Sequence, residues 1–238
     1  MNMDDLSEQL LPSVDKVALT DIDKKSLFEI KRQTSGSFLT KVTPELREAR
    51  ENGGIAFVYQ KGIGFVDGSN SQVRFIETSD FGGREPFFGS CVVVIAWEPS
   101  TRLTSMLHAD TLTDITQAKQ LMENRFSGDE VELSVLGGQE TASEGILQEI
   151  SEQFRQSSKW QLKRIDTLGL KYVAARQTIV DIQTGEVYDL QGDDRENMKP
   201  WEVDLPDDVR KRQLRAATVE KTLFVDVDYR GADRSEQI

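Results

Sequence analysis

The chain has 238 residues, 37% of them hydrophobic, which suits one large domain with a sizeable core and polar ends. A formal net charge of −12 and an isoelectric point near 4.7 argue against a nucleic-acid partner, whose binders carry a basic footprint. A single cysteine excludes an internal disulfide and any multi-cysteine metal site. No apolar run approaches the roughly 20 residues that span a bilayer. The acidic start, Met1-Asn2-Met3-Asp4-Asp5, lacks the order of a secretory signal. The expectation is a soluble, cytoplasmic protein with no membrane partner, its thiol held in a reducing compartment.

Residues 1–53 read as an N-terminal appendage, helical or partly disordered. Ser13 to Arg32 carries a weak helical pattern, and Thr43-Pro44-Glu45 supplies a cap, a proline at the first helical position and an early acid. The helix that follows stops at Gly53-Gly54, and its nearly all-charged surface predicts a solvated arm, with docking or targeting as the other reading. The domain proper is expected over 54–229, with 230–238 a polar tail.

Strands are predicted from Ile55: IAFVYQ, GIGFV and QVRFIE, separated by Lys61-Gly62 and by the turn cluster Asp67-Gly68-Ser69-Asn70. A loop from Thr78 to Phe88 leads through Gly89-Ser90 to Cys91. Next come an apolar run, Val92 to Trp97, a polar break at Glu98-Pro99-Ser100-Thr101, and an alternating run, Arg102 to Leu107, together a hairpin. Thr113 to Phe126 and Thr141 to Phe154 have helical spacing, with a Thr or Asp cap on the first. Residues 130–138, 160–167 and 222–229 read as strands, and Thr184-Gly185 as the turn of another hairpin. The acidic segment Gln191 to Asp208 reads as loop and Val209 to Val219 as a short basic helix. Adjacent strand pairs with two helices between later strands predict an α+β fold: a mixed, largely antiparallel β-sandwich flanked by helices.

The only cysteine, Cys91, and the only histidine, His108, bracket the central hairpin. With a loop symmetric about Pro99 and Ser100, paired residue numbers sum to 199, which places Cys91 directly opposite His108. Directly opposed residues have Cβ atoms roughly 4.5–5.5 Å apart, within reach of proton exchange, whereas a slip of one residue would send His108 to the other face. A thiol beside an imidazole can attack a carbonyl and then return a proton to the leaving group. Backbone N–H groups around Ser90 and Cys91, and the Ser90 hydroxyl, are candidate oxyanion donors. The plainer alternative is a buried cysteine acting as a small hydrophobe and a histidine serving as a structural hydrogen-bonder. One His and one Cys leave only carboxylates to complete a metal shell, so no metal is expected, and no G-x-S-x-G context surrounds any serine.

These residues carry a resemblance. Gly89-Ser90-Cys91 with Val92 to Ile95, then Met106-Leu107-His108, resembles the thiol deamidases of the cytotoxic-necrotizing-factor fold, both in the chemoreceptor glutamine deamidase branch and in the protein N-terminal asparagine amidohydrolase branch. The second is the closer: His108-Ala109-Asp110-Thr111 with Thr113-Asp114, the strand ending at Gly137-Gly138, Ile182 to Tyr188 and Leu214 to Ala217 are all similar to its landmarks. The similarity runs over roughly 54–229. It implies a two-sheet core, no cofactor, and hydrolysis of a side-chain carboxamide with release of ammonia.

By position, the resemblance makes Cys91 the nucleophile and His108 the base and acid. The substrate it implies is a protein or peptide with an N-terminal Asn, or else a Gln-containing partner protein. A third possibility is a non-catalytic binding module on the same fold. The family's Ser or Thr six residues before the Cys is replaced here by Glu85, leaving Glu85, Thr78, Ser79 or Ser90 as candidates to orient the site. An N-terminal substrate carries a positive amine, for which Asp110, with Thr111 beside it, is the expected acid. Capping of the following helix is the alternative role for Asp110.

Overall fold

The computed structural model describes residues 17–18, 32–34, 39, 41–70, 72–79, 91–139, 141–170, 176–191 and 221–229. Among them the fold is α+β, with two mixed sheets and three helices. Strands β1 (Val17–Ala18), β2 (Arg32–Thr34), β4 (Gly62–Val66), β6 (Val92–Glu98), β7 (Leu103–Ala109), β8 (Val131–Gln139), β9 (Trp160–Leu170) and β12 (Phe224–Tyr229) form the larger sheet. Its order is β1-β9-β8-β6-β7-β4-β12, with β2 also paired to β9. The smaller sheet has the order β11-β10-β5-β3, from β11 (Val187–Gln191), β10 (Arg176–Asp181), β5 (Phe75–Ser79) and β3 (Ile55–Tyr59). Pairing is antiparallel except at β8–β9, β3–β5 and β4–β12.

The period-2 alternation of β6 explains the layering. Val92, Val94 and Ala96 join a core with Met122 of α2 (Ile115–Arg125), Phe126 just after that helix, and Leu147, Ile150 and Phe154 of α3 (Glu144–Phe154). Cys91, Val93 and Ile95 face the other way, into a core with Val58, Ile76, Val180 and Val187 of the smaller sheet. Sheet therefore packs on sheet, with α2 and α3 outside the larger one. The two sheets are also tied at Trp97, whose indole donates to the Ile182 carbonyl at 3.2 Å. Gly185 lies directly under that ring, where a Cβ would overlap it.

The helix α1 (Pro44–Glu51) forms as predicted, with the Thr43 hydroxyl accepting from the Leu46 N–H at 3.3 Å. It is not a solvated arm, however. Leu46 is fully buried and packs with Phe75, Ile179, Tyr188 and Leu190 on the outer side of the smaller sheet, a burial that contributes about 1.5–3 kcal/mol. Arg50 reaches both carboxylate oxygens of buried Glu77 at 3.2 Å. The pattern across 13–32 also differs from expectation where it is described, since Val17–Ala18 pairs with Leu162 and Gln161 as a strand. The edge of β9 opposite β8 supplies backbone partners there, which outweighs a weak helical pattern. The loop 192–208 and the helix expected over 209–219 lie outside the described residues.

Three predicted elements shift. The strand expected to end before Thr78 continues to Ser79, because β5 pairs with β3 through that residue. The second amphipathic helix starts at Glu144, since Thr141 takes a left-handed φ of 70° that no helix accommodates. The adjacent runs β3 and β4 enter different sheets, so the chain turns a corner at Gln60-Lys61.

Candidate active site

The site is built at one end of the larger sheet, where β6 begins and β7 and β8 end. The β6–β7 hairpin forms, but its register differs from the expected one. Val92 pairs with Ala109, Val93 with His108 and Glu98 with Leu103, so partner numbers sum to 201. The reason is local: the loop is Pro99 to Arg102, with Arg102 at a left-handed φ of 57° and its N–H bonded to the Glu98 carbonyl at 2.7 Å. The loop centre therefore lies one residue later than Pro99-Ser100. Cys91 and His108 are not directly opposed.

The displacement is by two residues, and parity is kept. Cys91 lies two positions before Val93, His108's partner, so thiol and imidazole share the face between the two sheets and are related diagonally. Diagonal neighbours are separated by about 7–8 Å, somewhat less between Cβ atoms. Both are buried, Cys91 at 6% exposure and His108 at 0%.

Each is held by its backbone. The Cys91 carbonyl accepts from the Gly138 N–H at 2.8 Å. Gly137 and Gly138 have φ of 90° and 83°, and a Cβ on Gly137 would stand 2.8 Å from the Cys91 oxygen. The expected stop of β8 at two glycines is therefore also the seat of Cys91. The His108 carbonyl accepts from the Lys61 N–H at 2.7 Å. Burial pushes the imidazole down to about 4, while a hydrogen bond with the Val58 backbone and the charge of Asp110 act in the opposite direction. At neutral pH the ring is uncharged, and it is not a resting imidazolium that could hold a thiolate.

Asp110 sits at the end of β7 with its carboxylate engaged on both oxygens. Oδ2 accepts from Gln60 Nε2 at 2.7 Å and lies 3.9 Å from Lys61 Nζ. Oδ1 accepts from the Leu112 N–H at 2.8 Å and the Thr113 hydroxyl at 3.1 Å. Asp110 does not cap α2. That role belongs to Asp114, whose carboxylate accepts from the Gln117 N–H at 2.9 Å. Thr111 is exposed.

Ser90 and Glu85 lie outside the described residues. Of the other candidates to orient the site, Thr78 is committed to the smaller sheet, donating to the Thr178 carbonyl at 3.2 Å and accepting from its N–H at 3.3 Å. Ser79 ends β5.

Four partners went unread in the sequence. The Val58 main chain carries no side-chain signal. Gln60 and Lys61 read as a polar turn, yet Lys61 is 1% exposed at a left-handed φ of 60°, a conformation costing roughly 1–2 kcal/mol for a residue with a Cβ. Asp226 of β12 accepts from the Tyr59 N–H at 2.9 Å and fills the space over Gly62.

Among the described residues no group of three or more His, Cys, Asp and Glu side chains is placed to hold a metal ion. No helix among them is long and apolar enough to cross a membrane. Comparison with protein-family models and with curated proteins finds no match to the chain.

Proposed function

We propose that the protein is a thiol-dependent amidohydrolase that converts an N-terminal Asn of a protein or peptide to Asp and releases ammonia. The observation that carries this reading is the placement of Cys91 and His108 on one face, on neighbouring strands, at the same end of the sheet. Burial keeps the imidazole uncharged, the form that can accept a proton from the thiol. His108 takes the thiol proton as Sγ attacks the carboxamide carbon, then gives it to the departing nitrogen, and ammonia leaves a thioester. Water, deprotonated by the same ring, then hydrolyses the thioester to the carboxylate and returns the thiol. The Cys91 N–H and Ser90 are the oxyanion donors in this reading, and Glu85 the orienting group. The reading includes a cytoplasmic setting and needs no cofactor.

The geometry at Asp110 favours a second reading of the substrate. A carboxylate already accepting from Gln60, Leu112 and Thr113 beside the Lys61 ammonium is poorly placed to clamp an α-amine. A carboxamide within an intact partner protein, as in a glutamine deamidase, has no such amine to bind. Ammonia release from Asn-first, acetylated Asn-first, Gln-first and internal-Gln peptides, with Cys91→Ala beside wild type, separates the two. Release from free Asn-first peptides alone, lost in Cys91→Ala, supports the first reading. Release from internal Gln supports the second, and silence on peptides and on folded Gln-containing proteins alike refutes both.

A further inference from the structure

We propose that Lys61 is a positioning residue for His108, its backbone fixing the end of β7 and its ammonium anchoring the Asp110 carboxylate beside the imidazole. The inference rests on the reading of His108 as the base, and adds to it a residue that touches neither nucleophile nor substrate. Lys61 stands at the corner between the sheets and joins three elements. Its N–H donates to the His108 carbonyl at 2.7 Å, its carbonyl accepts from the Phe224 N–H at 2.9 Å, and its Nζ lies 3.9 Å from Asp110 Oδ2. A glycine would take the φ of 60° without strain and bury no charge. The lysine side chain instead places a buried ammonium beside the Asp110 carboxylate.

That cation has an electrostatic role. Asp110 follows His108 by two residues, just past the end of β7, and its charge draws the ring toward its protonated form. The strength of that pull sets how readily the ring takes and returns a proton, and it depends on how far the carboxylate charge is compensated. Lys61 compensates it, with Gln60 as a neutral second donor.

Among the described residues, neighbouring elements bring other charged or titratable groups toward this end of β7. β12 contributes Asp226, held on the Tyr59 N–H, and the head of β6 contributes Cys91. The neighbouring positions on β4 and β6, Gly62 and Val93, carry no charge. Glu77 of β5 is turned toward Arg50 of α1, on the far side of the smaller sheet.

Because the chain has one histidine, the imidazole resonance in proton NMR reports His108 alone. Wild type, Lys61→Gly, Lys61→Met, Lys61→Arg and the double variant Lys61→Gly/Asp110→Asn are titrated, with circular dichroism as a check of folding. Lys61→Gly suits the left-handed backbone and stands in if Lys61→Met does not fold. Loss of the ammonium is expected to raise the His108 protonation constant about tenfold, one pH unit. Lys61→Arg should stay near wild type, and the double variant should return toward it. An unchanged midpoint in folded Lys61→Gly, or a shift that persists in the double variant, overturns the proposal. A tenfold shift in a protein that releases no ammonia from any substrate supports the positioning role and refutes the hydrolytic reading alone.

Discussion

Removing His108 should alter how stability depends on pH, with a sign fixed by its surroundings. The imidazole is lowered from 6.5 to about 4 in the folded chain, so between those values the unfolded state holds a proton that the folded state does not. Stability is therefore fully present above the unfolded value and falls as pH drops toward 4. Summed over both states, the loss between about pH 7.5 and about pH 5.5 is about 1.3 kcal/mol, and it approaches about 3 kcal/mol below pH 4. Glu77 acts oppositely: burial raises it to about 7, so its contribution is present below the unfolded carboxyl value and is lost as pH rises through 7. The His108 effect must accordingly be read as a difference. Urea unfolding of wild type and His108→Gln, followed by the fluorescence of the three tryptophans, is run at both pH values, each above the isoelectric point near 4.7. Wild type should lose about 1.3 kcal/mol more than the variant on acidification. Parallel behaviour within about 0.5 kcal/mol would refute a neutral, desolvated imidazole.

Further outcomes follow from other contacts. Gly137→Ala forces a Cβ to 2.8 Å from the Cys91 carbonyl at a φ of 90°, and should cost about 2–3 kcal/mol by chemical denaturation. Gly145→Ala, with nothing within 4 Å, is the matched control and should be neutral or mildly stabilising. Asp114→Ala removes the α2 cap and should cost about 1 kcal/mol. Arg50→Met strands Glu77 in the core, and should cost about 3 kcal/mol at alkaline pH and less near pH 5, where the carboxyl is protonated. Equal deficits at the two pH values would count against that assignment.

Much of the fold was written in local pattern. The alternation of Val92 to Trp97, the spacing of Ile146, Leu147, Ile150 and Phe154, and the Thr184-Gly185 turn all declare themselves within a few residues. What was hidden depended on partners far away or on a single dihedral. The hairpin register turned on Arg102 adopting a left-handed backbone, which its side chain does not announce. Helix α1 buries only Leu46 and Ala49 of its eight residues, too few to form an apolar stripe, and the burial of Arg50 makes sense only beside Glu77. Asp110 and Asp114 both offered caps by sequence; the helix start at Ile115 gives that place to Asp114, while Gln60, Leu112 and Thr113 hold Asp110. The Cys91–His108 face was legible because an error of two residues preserves the alternation of a strand.

The parallel strand β12 has a consequence for how the site comes into being. Its Phe224 N–H and Asp226 carboxylate complete the hydrogen bonding of Lys61 and Tyr59, residues more than 160 positions earlier in the chain. Contacts of such sequence separation form late, because the loop-closure entropy must be overcome before they stabilise anything. A nascent chain that has already paired β6 with β7 therefore lacks the corner that fastens His108, and acquires it only after residue 226 has emerged. Among the described residues β12 is also the outermost strand of its sheet, and its side chains are partly exposed. Amide hydrogen exchange should find fraying there, and each opening would loosen the Lys61 corner while the hairpin beneath stays protected.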